Sequence, residues 1–348
     1  MIVVRFLIAL FAKIDRRLYT KFIERLCFAG NSNSDIKDFV TLLIRPKKYF
    51  RRDTPSVSAE DMSAAILIQG QIVQDGQFTI ETIRLYRKIF PRIPLFVATW
   101  DTESAEDLRV IASLGANIIL CKKPSGTGFL NFNLQLETAV KGLEAVRKLG
   151  VATVLKTRSD QRIYNRFSIV FLQAMLLQFP TRNNVSCKGR IFILSTTTLT
   201  NFPLHVCDML QYGFIDDICK FWGVPAHEEE IDRERFVSEM VGKLHVSEML
   251  TRESSIPEVC LGRFYASLLY GEESLSDPKY VYQRLINEAL GIVDQGQLDL
   301  SWPKYNSIEA FRDYQVPWIL ERLTFDKWLS LYSGTVKNVI SYDPKTII

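Results

Sequence analysis

The sequence predicts an α/β protein with a mostly parallel sheet flanked by helices. Three observations carry that prediction. Short, continuously apolar runs recur, as strands covered on both faces require. Amphipathic segments of helical length stand between them, the alternation that builds βαβ units. The 348-residue chain holds 47% apolar and 24% charged residues, an ordinary globular balance for one large or two intimate domains. That balance excludes disordered, collagen-like and coiled-coil chains.

The first segment stands apart. Residues 2–12 are apolar except for Arg5, a run too short to cross a bilayer core, which takes roughly 20 residues as a helix. Ile14, Leu18, Tyr19, Phe22, Ile23 and Leu26 follow near helical spacing, interleaved with Lys13, Arg16, Arg17 and Lys21. That pattern fits a helix lying in a membrane surface or one packed on the domain, with a cleaved signal as a third reading. Residues 45–61 are basic and polar and form a linker, so residues 1–60 make one region.

From Ser63 the pattern becomes regular. Ala65–Gln69 is a strand, Phe78–Phe90 a helix, Pro94–Thr99 a strand, and Ala105–Leu114 a helix closed by Gly115. Asn117–Cys121 is a strand, Asn133–Leu149 a helix closed by Gly150, and Thr153–Thr157 a fourth strand. Phe167–Phe179 is a helix and Ile191–Thr196 a further strand. After Asn201 the sequence is mainly helical, over His205–Phe221, Arg233–Leu250, Pro257–Tyr270 and Pro317–Tyr332. The expected organisation is an α/β part over residues 61–200 and a helical part over 201–348 packed on it.

Charge and cysteine usage narrow the function. The net charge of +4 argues against a general nucleic-acid binder. Residues 1–60 hold 12 Lys or Arg against 6 Asp or Glu, which suits anionic lipid or an acidic partner, or simply a solvated helix face. No cysteine pair has CxxC spacing, so reduced thiols in a cytoplasmic protein, peripheral on the membrane if the first helix binds there, are expected. No zinc pattern, GxxxxGK[ST] or GxSxG occurs. Gly126-x-Gly128 lacks the third glycine of a dinucleotide fingerprint and follows the third strand, not the first.

In open parallel sheets, ligands bind beyond the carboxyl ends of the strands. Those ends carry Gln69 and Gly70, then Trp100 and Asp101, then Lys122 and Lys123, then Lys156, Arg158 and Asp160. Amides, a ring, acids and cations together suit a base, a ribose and a diphosphate. Asp160, flanked by Arg158 and Arg162, suits a magnesium– or manganese–diphosphate site. Each residue has a plain structural alternative. Gly70 can turn the chain, Trp100 can fill the core, and Arg158 and Asp160 can form an ion pair.

Several short blocks, in order, resemble the WavE family of lipopolysaccharide synthesis proteins. They are Ile66-Leu67-Ile68-Gln69-Gly70, the helix from Glu81 to Pro91, Ala98-Thr99-Trp100, and Lys156-Thr157-Arg158-Ser159-Asp160. Further blocks are His205-Val206-Cys207-Asp208-Met209 with Tyr212-Gly213 and Asp216-Asp217, and Pro257-Glu258 before an apolar helix. The resemblance implies a GT-A-like nucleotide-sugar domain and a glycosyltransferase using a nucleotide-sugar donor and a lipopolysaccharide or other glycan acceptor, lipid-linked or not. A divalent metal on Asp160 is implied too, although Ser159 and Gln161 depart from a full DxD.

The candidate assignments follow. Gln69, Gly70, Trp100, Asp101, Asn133, Lys156, Arg158 and Asp160 would bind the nucleotide-sugar, with Asp160 also the metal ligand. Asp208, Glu258 and Asp217 are the candidate bases, the first two preferred. Asp208 and Glu258 can equally be first-turn acids that favour a helix dipole, and Asn133 can be a helix cap. A non-catalytic nucleotide- or glycan-binding protein and a nucleotidyltransferase are the competing readings.

Overall fold

A seven-stranded sheet forms the centre of the computed structural model. The structure describes residues 63–183, 185–228, 256–302 and 321–341, together with residue 25. From residue 52 onward the chain forms one compact unit, to which all that follows refers.

The strands are β1 (Ala64–Gln69), β2 (Leu95–Trp100), β3 (Asn117–Cys121), β4 (Thr153–Arg158), β6 (Ile191–Leu194), β7 (Gln211–Phe214) and β8 (Leu290–Val293). Strands β1, β2, β3 and β4 pair in parallel, as do β6 and β8, while β7 runs antiparallel between β4 and β6. The mostly parallel sheet expected from the sequence is therefore present. Every residue of β1 and β2 is buried, which is why both read as unbroken apolar runs. Helices α1 (Phe78–Ile89), α2 (Ala105–Ser113) and α3 (Phe132–Lys148) follow β1, β2 and β3 as the crossovers of the parallel units.

After β4 a short strand β5 (Arg162–Ile163) pairs antiparallel with β9 (Leu300–Ser301) in a second, two-stranded sheet. Helix α4 (Ser168–Gln178) leads to β6, and α5 (Ile215–Phe221) follows β7. Helices α6 (Pro257–Tyr270), α7 (Pro278–Glu288) and α8 (Phe325–Tyr332) complete the described elements.

Two helices expected from the sequence differ. In place of a helix over His205–Phe221, the chain forms β7 and then the shorter α5. Here pairing on both edges, with β4 and with β6, outweighs local helical spacing. Gly213 sits there because a Cβ would lie 3.0 Å from the carbonyl of Arg190, the residue just before β6. Of the helix expected over Pro317–Tyr332, residues 317–320 lie outside the described residues, and in the described part the helix begins at Phe325. Residues 321–323 are held extended: Arg322 bridges Leu199, and the Leu323 N–H donates to the Thr198 carbonyl at 2.8 Å. The helix expected over Arg233–Leu250 and the amphipathic segment of residues 1–26, residue 25 aside, lie outside the described residues.

Candidate active site

The site is built from the carboxyl ends of β1 and β4. Their register sets Gln69 opposite Arg158, and β2 sets Ala98 beside Gln69. Gly70 leaves β1 at φ +113°, its N–H donates to the Ala98 carbonyl, and a Cβ would lie 2.9 Å from Ser159 Oγ. Only glycine satisfies both demands without strain. The Ser159 N–H donates to the Gln69 carbonyl at 2.9 Å, and Thr79 Oγ1 donates to the Ser159 carbonyl at 3.0 Å. Gln161 is fully buried and accepts from Thr157 Oγ1 at 3.2 Å. The turn that carries Asp160 is thus fixed from both sides.

On that turn Arg158 and Asp160 form a two-point ion pair, Nε to Oδ1 at 2.9 Å and Nη2 to Oδ2 at 3.1 Å. The Arg158 guanidinium also lies 5.7 Å from the Trp302 ring centre. Trp302 reaches it because β5 and β9 pair, placing the residue after β9 beside the residues after β4. The sequence reading omitted Trp302, since only long-range pairing brings it here.

Asp208 and Glu258 converge on the same edge. Asp208 lies in the segment leading into β7, whose first residue, Gln211, pairs with Lys156 of β4. It is in no helix, so the dipole alternative does not apply to it. The segment is pinned: the Cys207 N–H donates to Thr198 Oγ1 at 3.2 Å, and Tyr282 Oη donates to the carbonyls of Leu199 and His205. Glu258 sits in the first turn of α6, beside this segment, with its own carbonyl accepting from the Val206 N–H at 3.5 Å. Gly262 allows that approach, because a Cβ there would collide with the Leu204 carbonyl. Burial and the neighbouring Asp208 carboxylate push the Glu258 pKa up, and Arg158 offsets part of that rise.

Lys156 is placed differently from the nucleotide-facing role expected of it. It is fully buried, donates from Nζ to the Asp208 carbonyl, and sits 4.0 Å from the Trp222 ring centre. Burial pushes its pKa down to about 7, against the pull of Asp208. It stands behind the Asp208 backbone, inside the protein.

The remaining candidates divide. Gln69 is 3% exposed and its Oε1 meets no partner among the described residues. Trp100 is buried, with Lys123 Nζ 5.9 Å from its ring centre, and Asp101 is exposed beyond it. The Asn133 side chain is engaged: Nδ2 donates to the Gly126 and His227 carbonyls at 3.1 and 2.9 Å, and Oδ1 accepts from the His227 N–H at 2.8 Å. It clasps two loops, and no helix-cap bond forms at α3. Asp217 lies at the other edge of the sheet. It follows β7, whose last residue pairs with the first of β4, and it accepts from the Gly189 N–H at 3.0 Å. The structure does not bring it to Asp208 and Glu258.

The donor set does not fit a divalent cation held by the protein. Both Asp160 oxygens face Arg158, and among the described residues no three His, Cys, Asp or Glu side chains gather. The edge instead presents a cation beside two carboxylates, one of them, Glu258, with its pKa raised by burial.

Residues 65–345 match the model of the WavE lipopolysaccharide synthesis family. No curated protein matches the sequence. Among solved structures, the chain is similar to a cytidylyltransferase from Leptospira borgpetersenii serovar Hardjo-bovis (11% identity, 81% of this chain and 98% of that one, TM-score 0.35). It is also similar to a mannose-1-phosphate geranyltransferase from Thermus thermophilus (14% identity, 74% and 81%, TM-score 0.31). A third is a CMP:2-keto-3-deoxy-manno-octonic acid synthetase complexed with CTP (9% identity, 55% and 86%, TM-score 0.32).

Proposed function

Since this chain belongs to the WavE lipopolysaccharide synthesis family, we propose that it transfers a sugar from a nucleotide-sugar donor to a lipopolysaccharide or other surface-polysaccharide acceptor. The carrying observation is the meeting of Glu258 and Asp208 with Arg158 at the carboxyl edge of β4.

In this reading the bond from the anomeric carbon to the phosphate oxygen breaks, and negative charge grows on the leaving nucleotide. Arg158, oriented by Asp160, faces that charge, and Gln69 and Trp100 adjoin the base and ribose. The acceptor oxygen bonds to the anomeric carbon, and its proton passes to Glu258. A carboxylate with a raised pKa is a stronger base than an ordinary one, which suits this step. Asp208 keeps Glu258 from ionising too readily and stabilises the charge that develops on the sugar ring. Residues 201–348 supply this acceptor side. No step uses a metal, because the donor set does not fit one.

Product analysis tests the reading. Incubation with sugar nucleotides and lipopolysaccharide should release a nucleoside diphosphate, or CMP from a CMP-sugar, and extend the glycan. Release of pyrophosphate would instead assign nucleotidyl transfer. Nucleotide binding without turnover would assign a binding protein.

A further inference from the structure

Strand β6 runs the same way as β4, because β7 lies antiparallel between them. Gln211 of β7 faces Lys156 of β4 on one side and Ile193 of β6 on the other. Two residues further along, Arg158 and Ser195 stand level at the carboxyl edge, about 10 Å apart at two strand spacings. Residues 208–210, entering β7, run between them. The short 3-10 turn Ser195–Thr197 after β6 therefore lies across Asp208 from Arg158. Its charge differs from that of the Arg158 side. Residues 191–207 contain no Lys, Arg, Asp or Glu, while Ser195, Thr196, Thr197 and Asn201 keep the stretch polar. A neutral polar edge suits the hydroxyl groups of a sugar, not a diphosphate.

His205 closes this stretch with all but one of its polar atoms tied. Its N–H donates to the Phe202 carbonyl at 3.2 Å, and its own carbonyl accepts from the Leu199 N–H at 3.2 Å and from Tyr282 Oη at 3.1 Å. Nδ1 lies 2.7 Å from the Thr197 carbonyl. A carbonyl only accepts, so Nδ1 carries the proton. Burial lowers the pKa of the ring, against the pull of the Asp208 carboxylate, so the imidazole is neutral at neutral pH. Nε2 then holds a lone pair, and it meets no partner among the described residues. The ring is partly exposed, and the partly exposed Phe202 ring meets it edge-on at 5.3 Å. Leu204 turns the chain into His205 at φ +65°, a conformation that residues with a side chain rarely adopt. Such strain persists where the surroundings over-determine it, and it clusters at ligand sites.

We propose that His205 Nε2 accepts a hydrogen bond from a hydroxyl of the acceptor sugar, which makes residues 195–205 the acceptor subsite. The inference rests on the sugar-transfer reading and names the group that recognises its acceptor. A sugar held there lies on the side of Asp208 away from Arg158. Its reacting hydroxyl then comes to Asp208 and Glu258 from one side, while the donor phosphates meet Arg158 on the other. A neutral imidazole suits this task, because an imidazolium has no acceptor to offer.

The test uses the full chain, with lipopolysaccharide as the acceptor probe. His205→Asn is the discriminating variant. The asparagine amide nitrogen stands where Nδ1 does and still donates to the Thr197 carbonyl, while nothing replaces Nε2. The variant should melt like wild type and bind lipopolysaccharide about tenfold more weakly. Diethyl pyrocarbonate, which acylates unprotonated imidazole nitrogen, reads the same atom in wild type. Peptide mass spectrometry should find the label on His205. Lipopolysaccharide at about ten times its dissociation constant should slow that labelling about tenfold, and UDP, GDP and CMP should not. Unchanged lipopolysaccharide binding by His205→Asn, or labelling of His205 that lipopolysaccharide leaves as fast, overturns the proposal. Protection by a nucleotide overturns it too and assigns His205 to the donor. Both readouts need binding alone. A wild type that shows them and transfers no sugar would contradict the transfer reading and leave the subsite standing.

Discussion

Gly262 of α6 rests against the backbone carbonyl of Leu204, with no room for a Cβ between them. This contact sets how close Glu258 comes to the segment carrying Asp208. Gly262→Ala must push α6 off that segment, because backbone cannot rotate away as a side chain would. The variant should lose about 1–3 kcal/mol of stability in urea unfolding, and its activity should fall further than that loss explains. A variant as stable and as active as wild type would remove the contact from the account.

Glu258 has a pH signature. The folded protein holds a proton on Glu258 that the unfolded chain releases, since the pKa rises from about 4.5 to about 8. Stability from this group is therefore present below the unfolded value and is lost as pH rises toward the folded one. Glu258→Gln should remove that loss, so its stability relative to wild type should increase between about pH 5 and pH 8. In activity, the alkaline-rising limb that reports the base should disappear with the same substitution. Urea midpoints and rate profiles across pH check both statements.

Lys156 gives the opposite slope. Its pKa falls from 10.5 to about 7, so the unfolded chain holds a proton that the folded one releases. Stability from this group is lost as pH falls through that interval. Lys156→Met keeps the volume and the contact with Trp222 and should flatten this dependence, while freeing the Asp208 carbonyl. Slower turnover with little change in KM would mark Lys156 as a positioning residue for Asp208.

Asn133 should behave as a structural clasp. Asn133→Ala removes three hydrogen bonds between the loop at Gly126 and the segment at His227, at a cost of about 1–3 kcal/mol. A large rise in donor KM with unchanged stability would return it to the binding site.

The legible parts of the fold were those with local signals. Strands β1 to β4 announced themselves as apolar runs, and α6 begins at the expected Pro257 and ends at the expected Tyr270. Strand β7 was not legible, because Gln-Tyr-Gly-Phe carries no strand pattern of its own and is stabilised by partners on both edges. The strand-end rule singled out Arg158 and Asp160, which the structure pairs with each other at the end of β4. It misjudged Lys156, since a lysine written at the end of a strand looks exposed and only the packing of Trp222 shows otherwise. It separated neither Asp217 from Asp208 nor Asn133 from the ligand side. Those distinctions depend on which way β7 runs and on where His227 returns.

The central claim is that a donor diphosphate meets Arg158 at the edge where Asp208 and Glu258 converge. Its most direct test is thermal shift with UDP-, GDP-, CMP- and dTDP-sugars on wild type, Arg158→Met and Asp217→Asn. A donor at about 100 times its dissociation constant adds about 2.7 kcal/mol to the folded state. The account predicts a nucleotide-specific rise in wild type, kept in Asp217→Asn and lost in Arg158→Met. No rise with any donor in folded protein, or a rise that survives Arg158→Met, would contradict it.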